Sequence, residues 1–200
     1  MERTFFDAVK VRRTRYALSN EPVVSDERIR EIVSEALKHT PSAFNSQSAR
    51  LVVLLGEQHI RLWELVKTEL KKIVPEENFK PTEEKINGAF RSGYGSILFF
   101  EDMAVIEGLQ KQFPLYKDAF PMFSSHSGGM IQFVVWTALA EAGLGASLQH
   151  YNPIIDDALK AEWNIPDSWK LLAQMPFGKP IAEPADKTFQ PIEERLRVYK

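Results

Sequence analysis

Apolar positions along the chain follow two spacings, one typical of helices and the other of buried strands. In residues 26–40 and 57–73, apolar side chains recur every three or four positions, as on one face of a helix. The run at residues 51–55 is apolar throughout, and the segment at residues 96–101 is apolar at 97–100. Both are short, which favours strands covered on both faces. Strands separated by helices, with no hairpin signal, predict a layered α/β or α+β domain around a mixed sheet.

Capping residues predict where the first helices begin. Thr4 is placed to cap a short helix that leads into a cluster of arginines. Ser25 is placed to cap the helix at residues 26–40, which Pro41 ends. Residues 74–85 are polar and contain two prolines, so we expect a mobile surface connection there.

A long apolar helix is predicted in residues 124–142. Its residues are apolar around most of the helix surface, which is typical of a central, buried helix. We expect Ser124 or Ser125 to cap its start and Gly143 to end it in the left-handed conformation. Two further strands and the helix between them are predicted at residues 145–151, 169–178 and 153–163.

The composition narrows the possible functions. Two hundred residues with 44% hydrophobic content are enough for one core, so residues 1–200 are expected to form a single domain. The net charge of −2 does not favour nucleic acid or an anionic membrane as a partner. The lack of cysteine excludes disulfides and thiolate sites, and with no signal peptide or long apolar run we expect a cytoplasmic location.

Three arginines in four positions, Arg12, Arg13 and Arg15, are the first candidate for chemistry. Guanidinium groups bind phosphate well because their planar fork donates parallel hydrogen bonds. If the first helix continues, Arg12 and Arg15 share a face, and if the chain is extended, Arg13 and Arg15 do. The alternative is a solvated basic helix end.

The stretch "PSAFNSQSAR" at residues 41–50 is the second candidate. If it is extended, Asn45 and Gln47 point the same way and present paired amides, which suit the edge of a heteroaromatic ring. The alternative is a polar turn in which Ser42 and Asn45 bond to the local backbone.

Polar residues also cluster near the last two predicted strands. Leu148, Gln149 and His150 end one strand, at an edge where α/β sheets commonly bind ligands. Gly178 permits a close backbone approach, and Lys179 adds a positive charge. The alternatives are a structural histidine and a surface lysine. The histidines lack metal-ligand spacing, so no metal site is predicted, and no dinucleotide-binding or P-loop motif is present.

Taken together, these segments resemble the FMN-dependent nitroreductase family. "RRTRY" is similar to the family's R-R-S-x-R pattern, with Thr14 in place of serine, and "PSAFNSQSAR" matches its P-S-x-x-N-x-Q-x-x-R run. "ALAEAGLGAS" and "FGKP" are similar to its A-x-x-x-G-L-G and G-[KRY]-P patterns. The likeness runs from Arg12 to Pro180 and is greatest to the small fatty-acid-repression branch of bacterial and fungal nitroreductases.

The resemblance implies a three-layer α+β fold with a mixed, largely antiparallel central sheet flanked by helices. It also implies a homodimer with FMN at the subunit interface, in which the tail at residues 188–200 is placed to wrap the other subunit. Arginines and Lys179 would then hold the phosphate, and the amides would meet the isoalloxazine ring. Either Ser125 and His126 or the strip at residues 41–45 would contact the partner's cofactor. The residues implied to bind FMN are Arg12, Arg13, Thr14, Arg15, Pro41, Ser42, Asn45, Gln47, Ser125, His126, Leu148, Gln149, His150 and Lys179.

The activity implied is that of an oxidoreductase. A hydride would pass from NADH or NADPH through flavin N5 to a nitroaromatic, a quinone or a similar acceptor. No protein side chain is expected to be catalytic, because the flavin carries the chemistry. The alternative is a flavin-binding redox sensor, or a regulator of stress or lipid signalling, with incidental turnover. The acidic balance disfavours a nucleic-acid-binding module.

Overall fold

Seven helices pack around a five-stranded sheet in the computed structural model, which describes residues 4–200. The helices are α1 (Phe5–Val11), α2 (Asp26–His39), α3 (Glu57–Lys71), α4 (Glu76–Ile86), α5 (Met103–Gln112), α6 (Phe120–Glu141) and α7 (Asp156–Trp163). The strands are β1 (Leu18–Ser19), β2 (Ala49–Leu55), β3 (Gly95–Asp102), β4 (Gly145–Ala146) and β5 (Trp169–Pro180).

The sheet is built around two long strands. The strand order is β1-β5-β3-β2, and β4 also pairs with β5. All of these pairs are antiparallel, while a single-residue bridge between Thr14 and Ala146 is parallel. The predicted α+β class with a largely antiparallel sheet is therefore confirmed.

Helices cover both faces of the sheet and create two hydrophobic cores. Because side chains alternate between faces along a strand, Ile97 and Phe99 of β3 point into one core and Leu98 and Phe100 into the other. Helices α2 and α6 complete the first core, and α3, α4 and α7 complete the second. All four of these β3 side chains are at most 1% exposed, so β3 lies at the centre of a three-layer arrangement.

Three predicted helix boundaries are confirmed. At α1, the N–H of Asp7 donates to the Thr4 hydroxyl at 3.3 Å and the N–H of Thr4 donates to the Asp7 carboxylate at 3.1 Å, which forms a capping box. At α2, the N–H of Arg28 donates to the Ser25 hydroxyl at 3.2 Å. Gly143 follows α6 with a φ of 88°, the left-handed conformation expected of it.

The predicted start of the long helix is wrong. Helix α6 begins at Phe120, with Pro121 in its first turn, so Ser124 and Ser125 lie inside the helix and do not cap it. The buried Phe120 side chain anchors the additional turn. Within the described residues, no helix, α6 included, has both the length and the apolar character needed to cross a bilayer.

Residues 74–85 are not the mobile connection that their composition predicts. They contain most of α4, whose Phe79 and Ile86 are buried in the second core. Pro81 lies inside this helix and cannot donate a backbone hydrogen bond. Burial of the two apolar side chains offsets that loss, which a reading of local composition does not reveal.

The strand predicted at residues 145–151 is shorter than expected. Within this segment, regular pairing with β5 is limited to the two residues of β4. An isolated bridge between Gln149 and Gln174 follows. Between them the N–H of Ser147 donates to the carbonyl of Pro176 at 3.2 Å, but proline has no N–H to return. The ladder is therefore interrupted at this point.

His59 forms a closed polar network inside the second helical layer. The Trp63 indole N–H donates to the Ser96 hydroxyl at 3.1 Å, and that hydroxyl lies 2.9 Å from His59 Nδ1. His59 Nε2 lies 3.2 Å from the Arg91 carbonyl, so the neutral ring satisfies both contacts as acceptor at Nδ1 and donor at Nε2. Burial lowers the pKa of His59 from 6.5 to about 4.

This lowered pKa predicts an acid-dependent loss of stability. The unfolded chain takes up a proton at His59 near pH 6.5, whereas the folded chain takes it up only near pH 4. The contribution of neutral His59 to the free energy of unfolding is therefore complete above pH 6.5 and is lost as the pH falls from 6.5 to 4. The loss is expected to reach about 3 kcal/mol. Urea unfolding at fixed protein concentration between pH 7.5 and 4 measures it.

Two variants separate this effect from general acid sensitivity. His59→Gln is expected to be less stable than the parent chain at pH 7.5 but to lose less stability on acidification. His39→Gln, which removes an exposed imidazole that pairs with Glu35, is the matched control for the loss of a histidine. Equal pH dependence in the parent chain and His59→Gln would contradict the assignment.

Candidate functional site

The arginine stretch leaves α1 and becomes extended. Arg12 is the C-cap residue of α1, with a ψ of 104°, so the helix ends at Val11. Arg13 and Arg15 then line the same cleft, which confirms the extended alternative and excludes the helical one.

This cleft, here called the arginine cleft, has a volume of about 410 Å³. It is lined by residues 13–17 on one side and residues 182–186 on the other. Arg13 donates to the Ala185 carbonyl at 2.6 Å, and Arg15 donates to the Ala182 carbonyl at 2.8 Å. Arg15 also pairs with the exposed Glu183 carboxylate at 3.1 Å. Each guanidinium keeps N–H donors beyond these contacts, so the cleft is suited to an anion.

Arg12 points away from that cleft onto α6. Its guanidinium lies 4.6 Å from the centre of the Trp136 ring, a cation–π contact. Arg12 Nε and Trp136 Nε1 are both buried and have no hydrogen-bond partner. Burial, followed by the charge of Arg13, lowers the pKa of Arg12 from its ordinary value, and arginine remains charged at neutral pH.

The end of β5 brings Lys179 near this region. The Lys179 ammonium pairs with Glu21 at 2.5 Å, and β1 pairs Ser19 opposite Lys179. A Cβ atom on Gly178 would lie 2.5 Å from the Ser19 carbonyl oxygen, so the predicted close backbone approach is confirmed. The N–H of Arg15 donates to the Ala146 carbonyl at 2.9 Å, which ties the arginine stretch to β4.

The second candidate stretch is a strained turn, and the prediction that it is extended is wrong. Residues 43–45 form a 3₁₀ turn, and φ is 57° at Phe44, 50° at Asn45 and 47° at Gln47. These left-handed values are uncommon for residues other than glycine. The N–H of Gln47 donates to the Ser42 hydroxyl at 3.0 Å, so Ser42 does bond to the local backbone. Asn45 and Gln47 remain exposed.

Pro41, Ser42 and Gln47 line a second, smaller cleft of about 210 Å³, here called the Gln47 cleft. Ser127 and Ile131 of α6 form its other wall. Arg50 fixes this turn: it donates to the Gln47 carbonyl at 2.8 Å, to the Ala49 carbonyl at 3.0 Å and to the Asp102 carboxylate at 3.0 Å.

The remaining predicted residues are dispersed. Ser125 lines a separate cavity beside Glu101, and His126 and His150 are exposed. Leu148 packs against the first core. The Gln149 amide donates to the Ser147 hydroxyl at 3.0 Å.

The arginine cleft and the Gln47 cleft share no lining residue, so the single chain does not join the two predicted halves of the site. Sequence reasoning also missed the partners of the three arginines. Trp136 reads as one more apolar residue of a core helix, and residues 182–186 contribute carbonyl groups, which every residue type carries. Neither has a distinctive sequence signal.

Comparison with known proteins gives one consistent family. The model of the nitroreductase family matches residues 9–179. The nitroreductase FRM2 of Saccharomyces cerevisiae is 38% identical over 197 residues, covering 98% of this chain and 96% of the yeast protein. This similarity agrees with the predicted fatty-acid-repression branch.

Solved structures give the same result. Nitroreductase CinD from Lactococcus lactis in complex with nicotinic acid is 46% identical, with a TM-score of 0.92 over 98% of this chain and all of that chain. A nitroreductase from Exiguobacterium sibiricum in complex with FMN is 14% identical, with a TM-score of 0.73 over 100% of this chain and 99% of that chain, and therefore supports the fold alone.

The three contacts of Arg50 predict that it holds the strained turn in place. Arg50→Lys is expected to raise amide hydrogen exchange in residues 42–48 about tenfold, because one ammonium cannot replace a fork that reaches two carbonyls and a carboxylate. Hydrogen-exchange mass spectrometry measures this. Arg61→Lys, which alters an ion pair with Glu162 on another surface, is the matched control. Unchanged exchange in Arg50→Lys would contradict the assigned role.

Proposed function

The chain belongs to the nitroreductase family, and we propose that it is an FMN-dependent oxidoreductase that uses NADH or NADPH. When bound, FMN would supply hydride transfer from the nicotinamide to a nitroaromatic, a quinone or a similar acceptor. The observation that carries the proposal is the arginine cleft, in which Arg13 and Arg15 keep N–H donors beyond their contacts with the Ala185 and Ala182 carbonyls.

The donor set fits the phosphate of FMN. A phosphate monoester carries a charge of about −1.5 to −2 at pH 7, and Arg12, Arg13 and Arg15 supply three positive charges within four positions. Arg13 and Arg15 are already held by backbone carbonyls, so little ordering is left for binding. Lys179 adds a fourth cation at the end of β5, where Glu21 now holds it.

The exposed amides of the strained turn fit the ring edge of FMN. Asn45 and Gln47 each offer a donor and an acceptor, which match the ring carbonyls and nitrogens of an isoalloxazine. Arg50 and the Ser42 hydroxyl hold the turn rigidly enough to orient them. In this proposal Leu148, Gln149 and His150 close the pocket, and no side chain acts as a catalytic acid or base.

A homodimer joins the two clefts. In the proposed dimer, the arginine cleft of one chain and the Gln47 cleft, with Ser125 and His126, of the other face the same cofactor. Exposed apolar surface supports such an interface: Phe5 and Phe6 of α1 are 67% and 66% exposed, and α1 packs against α6. On α6 itself, Met130, Phe133 and Val134 are also exposed.

The phosphate assignment predicts weaker cofactor binding when an arginine is removed. Arg13→Ala is expected to raise the FMN dissociation constant roughly 10- to 100-fold, because one charge-assisted donor group is lost. Titration of FMN fluorescence with apoprotein measures this. Arg28→Ala removes an exposed arginine that pairs with Glu31 on α2, and is expected to bind as the parent chain does. Full flavin retention by Arg13→Ala on dilution would remove Arg13 from the site.

Turnover separates the enzyme from the alternative, a flavin-binding redox sensor or regulator. The enzyme is expected to oxidise NADH or NADPH faster than the acceptor-free background with at least one nitroaromatic or quinone. Parallel double-reciprocal lines are also expected, since reductant and acceptor use the site in turn. Steady-state absorbance assays at varied reductant and acceptor concentrations measure the oxidation rate and the pattern of the double-reciprocal lines. Oxidation that stays at background across the panel, by a protein that still binds FMN, would favour the sensor.

A further inference from the structure

Glu101, near the end of β3, is a buried carboxylate without a partner. It is 2% exposed, and both of its carboxylate oxygens are buried and lack any hydrogen-bond partner. The neighbouring Asp102 is engaged differently, since it pairs with Arg50 and caps α5. A buried charge without a donor is strongly destabilising, so Glu101 calls for a donor that its contacts within the described chain do not supply.

The carboxylate lies against a cavity of about 380 Å³ between α6 and the sheet. Lys170 is directly opposite Glu101 in the β3–β5 register and lines the same cavity, yet it forms no ion pair with Glu101. Polar side chains of Ser124, Ser125 and Gln132 line the cavity as well, and none donates to the carboxylate. The apolar part of the wall suits the methylene stem of a long basic side chain.

The cavity adjoins an exposed stretch of α6. Gly128 and Gly129 line it, and a Cβ atom on Gly129 would meet no atom within 4 Å. Met122 and Met130, which flank these residues on the same helix, are 53% and 39% exposed. Gly128 is buried and Gly129 is exposed, so an exposed glycine and two exposed methionines together form an apolar surface of α6 that a partner can cover.

The chain itself carries a matching group. The side chains of Arg195 and Arg197 have no hydrogen bond or ion pair in the described part of the chain, and they alternate with exposed Leu196 and Val198. From Asp186, the last residue that lines the arginine cleft, nine residue steps lead to Arg195, and part of this length is the 3₁₀ turn at Ile192–Glu194. The segment therefore reaches at most roughly 30 Å at about 3.3 Å per residue, which allows contact with an adjoining second copy.

We propose that Glu101 binds an arginine, Arg195 or Arg197, from the C-terminal segment of a second copy of this chain. The guanidinium enters the cavity beside Gly128 and Gly129 and donates to both carboxylate oxygens, as the fork geometry of arginine allows. The inference rests on the homodimer of the proposed function and adds the charge pair that holds its tail in place.

Subunit exchange between tagged and untagged holoprotein tests the pair, because removing one partner of a buried charge pair acts mainly on dissociation. Glu101→Gln is expected to accelerate exchange at least about tenfold. One of the tail variants, Arg195→Gln or Arg197→Gln, is expected to do the same, and combining it with Glu101→Gln is expected to add little, since the two changes remove one interaction. Glu107→Gln on α5 and Glu193→Gln in the tail are matched controls with parental exchange.

Three results would overturn the proposal. The first is a parental exchange rate in Glu101→Gln, and the second is a parental exchange rate in both arginine variants. The third is additive effects in the double variants, and this result would assign the cavity to a small cation or to another partner group. If Glu101→Gln does not fold, the exposed arginines still test the pair, because their replacement leaves the monomer core intact. Sedimentation and FMN absorbance of each variant are recorded separately, so failure of the pair is distinguishable from absence of a dimer or of flavin.

Discussion

The antiparallel pairing of β3 with β5 is the constraint on which both clefts depend. At one end of this pair, the tight approach of Gly178 to Ser19 seats β1, and β4 pairs alongside with the arginine stretch tied to it. At the other end, Asp102 receives the guanidinium of Arg50, which in turn fixes the Gln47 turn. Because β3 is buried on both faces, neither end can move without disturbing a hydrophobic core.

Unpaired polar groups lie against α6 at two places, near Trp136 and near Glu101. Arg12 Nε and Trp136 Nε1 are buried donors without acceptors, and Glu101 is a buried acceptor without a donor. The two kinds of deficit call for different ligands, an anion for the first and a cation for the second. We therefore treat them in different proposals: the FMN phosphate concerns the arginine stretch, and an arginine of a second chain concerns Glu101.

Features with a local physical cause were predictable from the sequence. Thr4, Ser25 and Gly143 act through backbone geometry within a few residues, and the alternation along β3 follows from its burial. Features that depend on packing between distant residues were not predictable from the sequence. Burial of Phe79 stabilises α4 despite Pro81, and burial of Phe120 extends α6 on the N-terminal side of Ser124. At the site, residue types pointed to the arginines and amides, but the turn at Gln47 depends on Arg50 and Asp102, which lie together only in the fold.

The strained turn shows how a fold can hold binding groups in an unfavourable conformation. Left-handed φ values at Phe44, Asn45 and Gln47 cost of order 1 kcal/mol each, so the turn persists only because its surroundings determine it. The centre of the Phe44 ring lies 4.9 Å from that of Phe113 and 5.3 Å from that of Phe120. The Ser42 hydroxyl accepts from the N–H of Gln47, and Arg50 donates to the Gln47 carbonyl. An ordinary polar linker between a helix and a strand needs none of these anchors. Their convergence on two exposed amides therefore favours a binding role for the turn over a connecting one.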